Sequence, residues 1–205
     1  MKRIVLMAVL ALALPLAAIA KTVDFTSSGG TLTGSNAGLT LSNSELIQAT
    51  GLGSGLPGNL GTLSFQTGTL ISSVGGVTTF NGGGSFDITG NGTNGVPNGA
   101  IFTGTFTGPV TMTLLGAGPN GSSTYSVVGS ISGTWFAGGT AVGVTNQTWF
   151  GTFTSGKNGF TGSATLGSGE TIVTTTNAVP EPGTLGLLGT GLLGLAGIAR
   201  RKLKV

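Results

Sequence analysis

The sequence predicts an all-β passenger domain, an antiparallel sandwich or barrel, that lies between two targeting segments. Three observations support this prediction. Apolar residues alternate with threonine and serine in short stretches, and clusters of glycine, asparagine and proline separate those stretches. Each end of the chain combines an uncharged apolar run with basic residues. Alternation of this kind is typical of half-buried strands, whereas basic residues beside an apolar run are typical of export and membrane signals.

The first segment, residues 1–20, has the organisation of a secretory signal peptide. Lys2 and Arg3 precede the apolar run 4–16, and Ala18 and Ala20 form the small-x-small pattern of a cleavage site. The alternative is an uncleaved anchor, but the apolar run is short for a span of roughly 20 residues. We therefore expect this signal helix to be removed by signal peptidase after Ala20.

The passenger, residues 21–179, is rich in small polar residues and poor in charge. Leu, Ile, Val and Phe nevertheless form about a quarter of it, above the roughly 20% below which disorder is favoured. We therefore expect a folded domain with a looser stretch at residues 27–61. Its net charge is −2, from two cations and four carboxylates: Lys21, Lys157, Asp24, Glu45, Asp87 and Glu170.

The strand predictions rest on period-2 alternation with hydroxyl residues on the second face. It is clearest at residues 110–114, 125–132 and 160–166, and further strands are expected at 62–72, 76–80, 84–89, 100–107, 147–154 and 170–176. Glycine and asparagine clusters between them supply turn chemistry. The pattern leaves a sandwich and a barrel open. One helical turn is expected over Ser42–Ala49, because Ser42 and Glu45 fit a capping box.

Composition argues against several classes of function. The chain has no histidine and no cysteine, so it lacks the usual zinc ligands and a His-based or thiol-based active site. Six of its eight cations lie at the termini, so the passenger has no cationic cluster for nucleic acid. No pair of its carboxylates is marked for acid–base chemistry. We expect no catalytic residues, no metal, no cofactor and no enzymatic activity.

The aromatic residues of the passenger allow two interpretations. Tyr125, Trp135 and Trp149 could stack on sugar rings at an exposed face, as in carbohydrate-binding modules, or they could fill the core of a glycine-rich sheet. Trp135–Phe136 and Trp149–Phe150 are adjacent pairs, so one member of each pair faces away from the core in a regular strand.

The last segment, residues 180–205, has three parts in a fixed order. Pro180, Glu181 and Pro182 come first, residues 183–199 follow as an uncharged Leu/Gly-rich run, and the chain ends in a basic tail with Arg200, Arg201 and Lys202. Prolines hold the first part extended. Seventeen residues rise about 25 Å as a helix, close to the roughly 30 Å of a hydrocarbon core. We therefore predict a transmembrane helix over 183–199 with the basic tail in the cytoplasm.

This combination resembles the PEP-CTERM sorting signal of Gram-negative bacteria, which joins Pro-Glu-Pro, a Leu/Gly-rich helix and an arginine-rich end. The resemblance covers about residues 179–205. It implies a precursor held in the inner membrane and handled by an exosortase, a membrane-embedded thiol transpeptidase, in bacteria that make exopolysaccharide or biofilm. Pro180, Glu181 and Pro182 would then serve recognition, and Arg200, Arg201 and Lys202 would set topology.

The sequence thus predicts an exported, non-enzymatic protein of the cell surface or extracellular matrix that associates with exopolysaccharide. The alternative is a carbohydrate-binding module, and an enzyme is a distant third. The passenger also lacks the charges that usually guard sheet edges, so we predict that it self-associates by edge pairing or an aromatic face and that salt affects this weakly. A closed barrel would instead stay monomeric.

Overall fold

The computed structural model describes residues 20–53, 56–157 and 159–175, together with Gly191. The first three ranges form twelve strands and one 3₁₀ turn, Pro119–Gly121. The strands are β1 (Thr22–Ser28), β2 (Thr31–Ser35), β3 (Gly38–Thr50), β4 (Gly61–Gln66), β5 (Leu70–Val74), β6 (Val77–Phe80), β7 (Gly83–Asn91), β8 (Asn98–Phe106), β9 (Val110–Ala117), β10 (Ser123–Trp135), β11 (Thr140–Gly156) and β12 (Gly159–Thr175).

Eight antiparallel strands close into a barrel, in the order β2, β3, β4, β7, β8, β10, β11 and β12. The pairing of β12 with β2 completes the circle, with Ala164 opposite Leu32. A closed ladder satisfies backbone groups that an open sheet would leave at two edges. The all-β prediction is confirmed, and closure decides for the barrel over the sandwich.

Four further strands extend the barrel. β1 lies next to the end of β2, in the gap between β12 and β3, and it pairs with β12 on one side and β3 on the other. β9 pairs with the first half of β10, and β6 and β5 follow it outward. Among the described residues, β5 is the strand that has a neighbour on one side only. Gly75 and Gly76 join β5 to β6 with φ of 61° and 80°, the backbone that a tight two-residue hairpin turn requires.

The interior of the barrel is filled by side chains, as expected for eight strands. Its largest fully buried members are Trp149, Phe25, Phe80, Phe86 and Phe102, and leucines from β2, β3 and β4 surround them. Phe106 meets Phe65 and Phe86 edge to face, with ring centroids 5.5 and 5.6 Å apart, and Phe65 stacks on Phe86 at 5.9 Å. The alternation predicted for β10 is confirmed, because Tyr125, Val127 and Ile131 all face this core.

One local prediction fails. The helical turn over Ser42–Ala49 is wrong, because these residues belong to β3, whose ladders to β1 and β4 override a local capping pattern. Asn43 has φ of 56°, and the β3–β4 register shifts between Leu41 and Ser44. The stretch expected to be looser, 27–61, contains β2 and all of β3. Leu32, Leu39 and Leu46 of these two strands are buried in the barrel.

The barrel has two ends with different contents. The tether end carries the start of β1, the end of β12 and the β10–β11 turn, so Thr22 lies opposite Thr174 and Ala141 lies opposite Thr175. The cleft end carries the β2–β3, β5–β6 and β11–β12 turns. These two names are used below for the two ends.

Candidate functional site

An aromatic cleft of about 280 Å³ opens at the cleft end. Tyr125, Phe153 and Phe160 line one side, and the β5–β6 turn lies across from them. The Tyr125 and Phe153 rings meet edge to face at 5.1 Å, and Phe153 stacks on Phe160 at 5.4 Å and 5°. Phe80 lies next to Phe160 inside the barrel, with its ring centroid 5.5 Å from that of Phe160. Tyr125, Phe153, Phe160 and Phe80 are called the aromatic row.

The backbone around the cleft makes room for these rings. A Cβ at Gly34 would lie 2.6 Å from Phe160 and 2.8 Å from Phe153, so only glycine allows β2 to pass beneath them. The side-chain oxygen of Asn36 accepts the backbone N–H of Phe160 at 2.8 Å and fixes the start of β12. The aromatic row is therefore held by the β2–β3 turn.

Hydroxyl groups form the polar part of the cleft. Ser73 and Thr78 line it and hydrogen-bond each other at 2.8 Å, and Ser155 adds a third hydroxyl. Aromatic faces beside hydroxyls are a combination that suits a sugar ring, which has apolar C–H faces and a polar rim. The mouth of a barrel is a common place for a ligand site.

The three aromatic residues singled out from the sequence are all interior. Trp149 is fully buried, and Trp135 and Tyr125 are nearly so, because a barrel lined partly by glycine needs bulk. Of the three, Tyr125 is the one that lines the cleft. The exposed partner of the Trp135–Phe136 pair is Phe136, whose side chain is 44% exposed. Sequence alone did not indicate Phe153 and Phe160, because their proximity to Tyr125 depends on how β10, β11 and β12 pair.

A polar cluster occupies the middle of the barrel interior. The Thr145 and Thr171 hydroxyls lie 2.9 Å apart, and the Gln147 amide donates to Thr145 at 3.1 Å. The Gln147 Oε1, Trp149 Nε1 and Ser27 Oγ atoms are buried and have no hydrogen-bond partner among the described residues. Burial of unpaired polar atoms costs stability, so this cluster weakens the barrel.

The four carboxylates of the passenger lie on four different strands: Asp24 on β1, Glu45 on β3, Asp87 on β7 and Glu170 on β12. Within the described ranges, no group of three or more acidic side chains could hold a metal ion. Asp87 lies within β7, and amide side chains hold the turn that follows this strand, since the Asn91 side chain accepts from the Thr93 N–H and donates to the Asn59 carbonyl.

The ends of the passenger meet at the tether end. The Thr175 N–H donates to the Lys21 carbonyl at 2.9 Å, and the Lys21 N–H donates to the Thr175 hydroxyl at 3.3 Å. The signal segment with Ala18 and the residues Pro180, Glu181, Pro182, Arg200, Arg201 and Lys202 lie outside the described residues, which begin at Ala20. Of the predicted transmembrane run 183–199, the structure describes Gly191 only. In the part of the chain that the structure describes, no helix is long and apolar enough to cross a membrane.

The chain carries a PEP-CTERM protein-sorting motif, which matches residues 178–202. The resemblance drawn from Pro180, Glu181 and Pro182, the apolar run and the basic tail is therefore confirmed. No curated protein and no solved structure is significantly similar to the chain.

A chain that carries this motif is consistent with an exosortase substrate. It implies an exported protein that exists first as a membrane-anchored precursor, is processed by an exosortase-like enzyme and then reaches the cell surface.

Proposed function

We propose that this chain is a non-enzymatic component of the cell surface or extracellular matrix, delivered by exosortase-dependent sorting and retained there by exopolysaccharide. The observation that carries the proposal is the sorting motif at residues 178–202. It sits directly after a small closed barrel whose ends meet at Lys21 and Thr175, so the barrel is the cargo that sorting releases.

The exterior of the barrel supports a matrix role. Its strands present mainly threonine, serine and asparagine, and the described part of the chain carries few charges. Such a surface exchanges hydrogen bonds with polysaccharide hydroxyls and neither attracts nor repels a charged polymer strongly. The absence of a catalytic role is part of this proposal.

The sorting step is tested by replacing Pro180, Glu181 and Pro182 together with alanine. Alanine removes the extended backbone and the carboxylate beside the apolar run. We expect the full-length precursor to accumulate in the inner membrane of a host that has the enzyme, as seen by immunoblot of membrane and surface fractions. Release of this variant at the wild-type rate would sink the proposal, and a conservative Glu181→Gln variant separates charge from backbone shape.

A second candidate is a carbohydrate-binding module, and the aromatic cleft favours it. A sugar would stack on Phe153 at the rim and hydrogen-bond Ser73 or Ser155. Retention of the processed protein on the host's isolated exopolysaccharide distinguishes the two. Loss of retention in Phe153→Ala, with Phe136→Ala unaffected, would assign binding to the cleft. Equal retention of both variants would favour diffuse binding by the hydroxyl surface.

A further inference from the structure

An apolar patch interrupts the hydroxyl exterior near the tether end. Val142 and Val144 of β11 are each 48% exposed, and Ile172 of β12 is 42% exposed. Val144 pairs directly with Ile172, and Val142 pairs with Thr174. The three side chains line a shallow groove of about 450 Å³, closed on one side by Thr107 and Ser130. These three residues are called the wall patch.

The members of the wall patch lie side by side, as the exposed Val74 and Val77 do at the other end of the barrel. Isolated exposed aliphatic residues are normal, but a contiguous apolar surface indicates an interaction site. The outward neighbours of the patch on β10 are Ser130 and Ser132, and further along β11 they are Asn146 and Thr148. The three aliphatic side chains thus lie together among hydroxyl and amide neighbours on β10 and β11.

The position of the patch along the chain favours the enzyme that takes the sorting motif as its occupant. Ile172 is three residues before Thr175, and the sorting motif begins three residues after Thr175, at residue 178. Three residues of chain reach at most about 11 Å. An enzyme that binds the start of the motif is therefore tethered near the end of β12, the strand that carries Ile172.

The chemistry of the patch fits a protein better than a lipid surface. Membrane-surface segments use basic side chains and large aromatic anchors, whereas the patch consists of β-branched aliphatic residues. The charged neighbours on the outer face of β1 and β12 are Asp24 and Glu170, which an anionic membrane would repel. Exposed aliphatic side chains with hydroxyls around them match the core and rim of a protein interface.

We propose that the wall patch is a second docking site for the exosortase-like enzyme that takes the sorting motif. This inference rests on the proposed sorting function. The patch and the motif act as two linked contacts, so binding of the motif makes contact at the patch effectively intramolecular. The barrel is thereby held beside the enzyme while the chain after Thr175 is presented, and the folded passenger contributes to substrate selection.

The test uses the full-length precursor in a host that contains the enzyme, with pulse-chase measurement of processing. The variant V142T/V144T/I172T keeps β-branched side chains, which suit strands, and removes apolar area. We expect processing about five- to ten-fold slower than in the wild type. The matched control V74T/V77T alters exposed valines at the other end of the barrel and should process at the wild-type rate.

A second comparison, with a lengthened linker between the barrel and the motif, makes the test specific. A flexible Gly/Ser insertion of about 20 residues between Asn177 and Ala178 lowers the effective concentration of the patch at the enzyme. We expect the insertion to slow wild-type processing and to leave the triple variant unchanged. Wild-type processing of the triple variant, or equal slowing in V74T/V77T, would overturn the proposal.

Two further outcomes assign the patch to another occupant and also overturn the proposal. One is patch-dependent dimerisation of the processed protein without enzyme, and the other is patch-dependent binding to vesicles of the host's phospholipids. Failure of the proposed sorting function is distinguishable, because the triple-alanine variant at Pro180, Glu181 and Pro182 would then be processed normally.

Discussion

The two ends of the barrel carry different chemistry. At the cleft end, stacked aromatic rings and three hydroxyls surround an opening of about 280 Å³, and Asn36 ties the β2–β3 turn to β12. At the tether end, hydrogen bonds between Lys21 and Thr175 continue the β1–β12 ladder, and a shallow apolar patch lies on the wall. The cleft end is built from packed side chains, whereas the tether end is the place where the chain enters and leaves the barrel.

This difference separates the end of the barrel that could bind a ligand from the end where the chain is processed. Since both chain ends leave the barrel at Lys21 and Thr175, processing at either terminus leaves the cleft end untouched. Any ligand of the cleft can therefore remain bound before and after release. Changes at the cleft end should act on stability and binding, whereas changes at the tether end should act on processing.

The largest effect is expected from Phe160→Ala at the cleft end. Phe160 is buried and contacts both Phe153 and Phe80, so truncation removes a large apolar side chain and leaves a cavity. The free energy of unfolding of the processed protein should fall by about 3–5 kcal/mol in urea titrations. The control Phe136→Ala, at the tether end, should change it by less than about 1 kcal/mol because that ring is half exposed. Equal losses would mean that the aromatic row does not hold the cleft end together.

An intermediate effect is expected from Asn36→Ala. The Asn36 side-chain oxygen accepts the Phe160 N–H at 2.8 Å, and alanine leaves that donor without its partner at a partly buried site. We expect a loss of about 1–2 kcal/mol in the free energy of unfolding. Asn146→Ala is the control, since its bond to Ser126 is exposed, and it should cost less than about 0.5 kcal/mol. If the two variants lost the same stability, the tie between β2 and β12 would be no stronger than a surface contact.

The sequence predicted the strands well where the alternation was clean. In β10, Tyr125, Val127 and Ile131 are buried, and in β12 Phe160, Ala164 and Leu166 are buried, as their spacing indicated. The separate strands expected at 160–166 and 170–176 are one continuous strand, Gly159–Thr175. Glycine at positions 167 and 169 favoured a break, yet the strand continues because β11 pairs along nearly all of it.

What the sequence could not provide is the closure and the identity of the cleft. Closure depends on β12 pairing with β2, across more than 120 residues of chain, and no local pattern encodes that register. The cleft combines Tyr125 with Phe153 and Phe160, which come from three strands. The sequence indicated tryptophan as a candidate for sugar stacking. A barrel with glycine on its inner face instead places its largest side chains in the core, where Trp149 lies. The sorting motif, in contrast, is a local signal and could be read directly.

The smallest effect concerns self-association of the processed protein. Because the barrel is closed, we expect this association to be weaker than the sequence indicated. An open sheet would offer two long edges, but among the described strands β5 alone is paired on one side. That edge is short, its register shifts between Leu70 and Ser72, and the Leu70 N–H already donates to the Asn36 carbonyl at 3.0 Å. Short and bulged edges are natural protections against strand addition.

We therefore expect weak self-association through β5, with a monomer at about 10 μM and measurable association only near about 1 mM, as for small transient interfaces. Because β5, β6 and β9 carry no charged residue, changing the salt concentration should alter it little. Ile71→Lys places a like charge at the edge of both copies and should abolish it, whereas Leu115→Lys on β9 should not. Light scattering at two salt concentrations measures this, and tight dimers at 10 μM that persist in Ile71→Lys would show that another surface joins the copies.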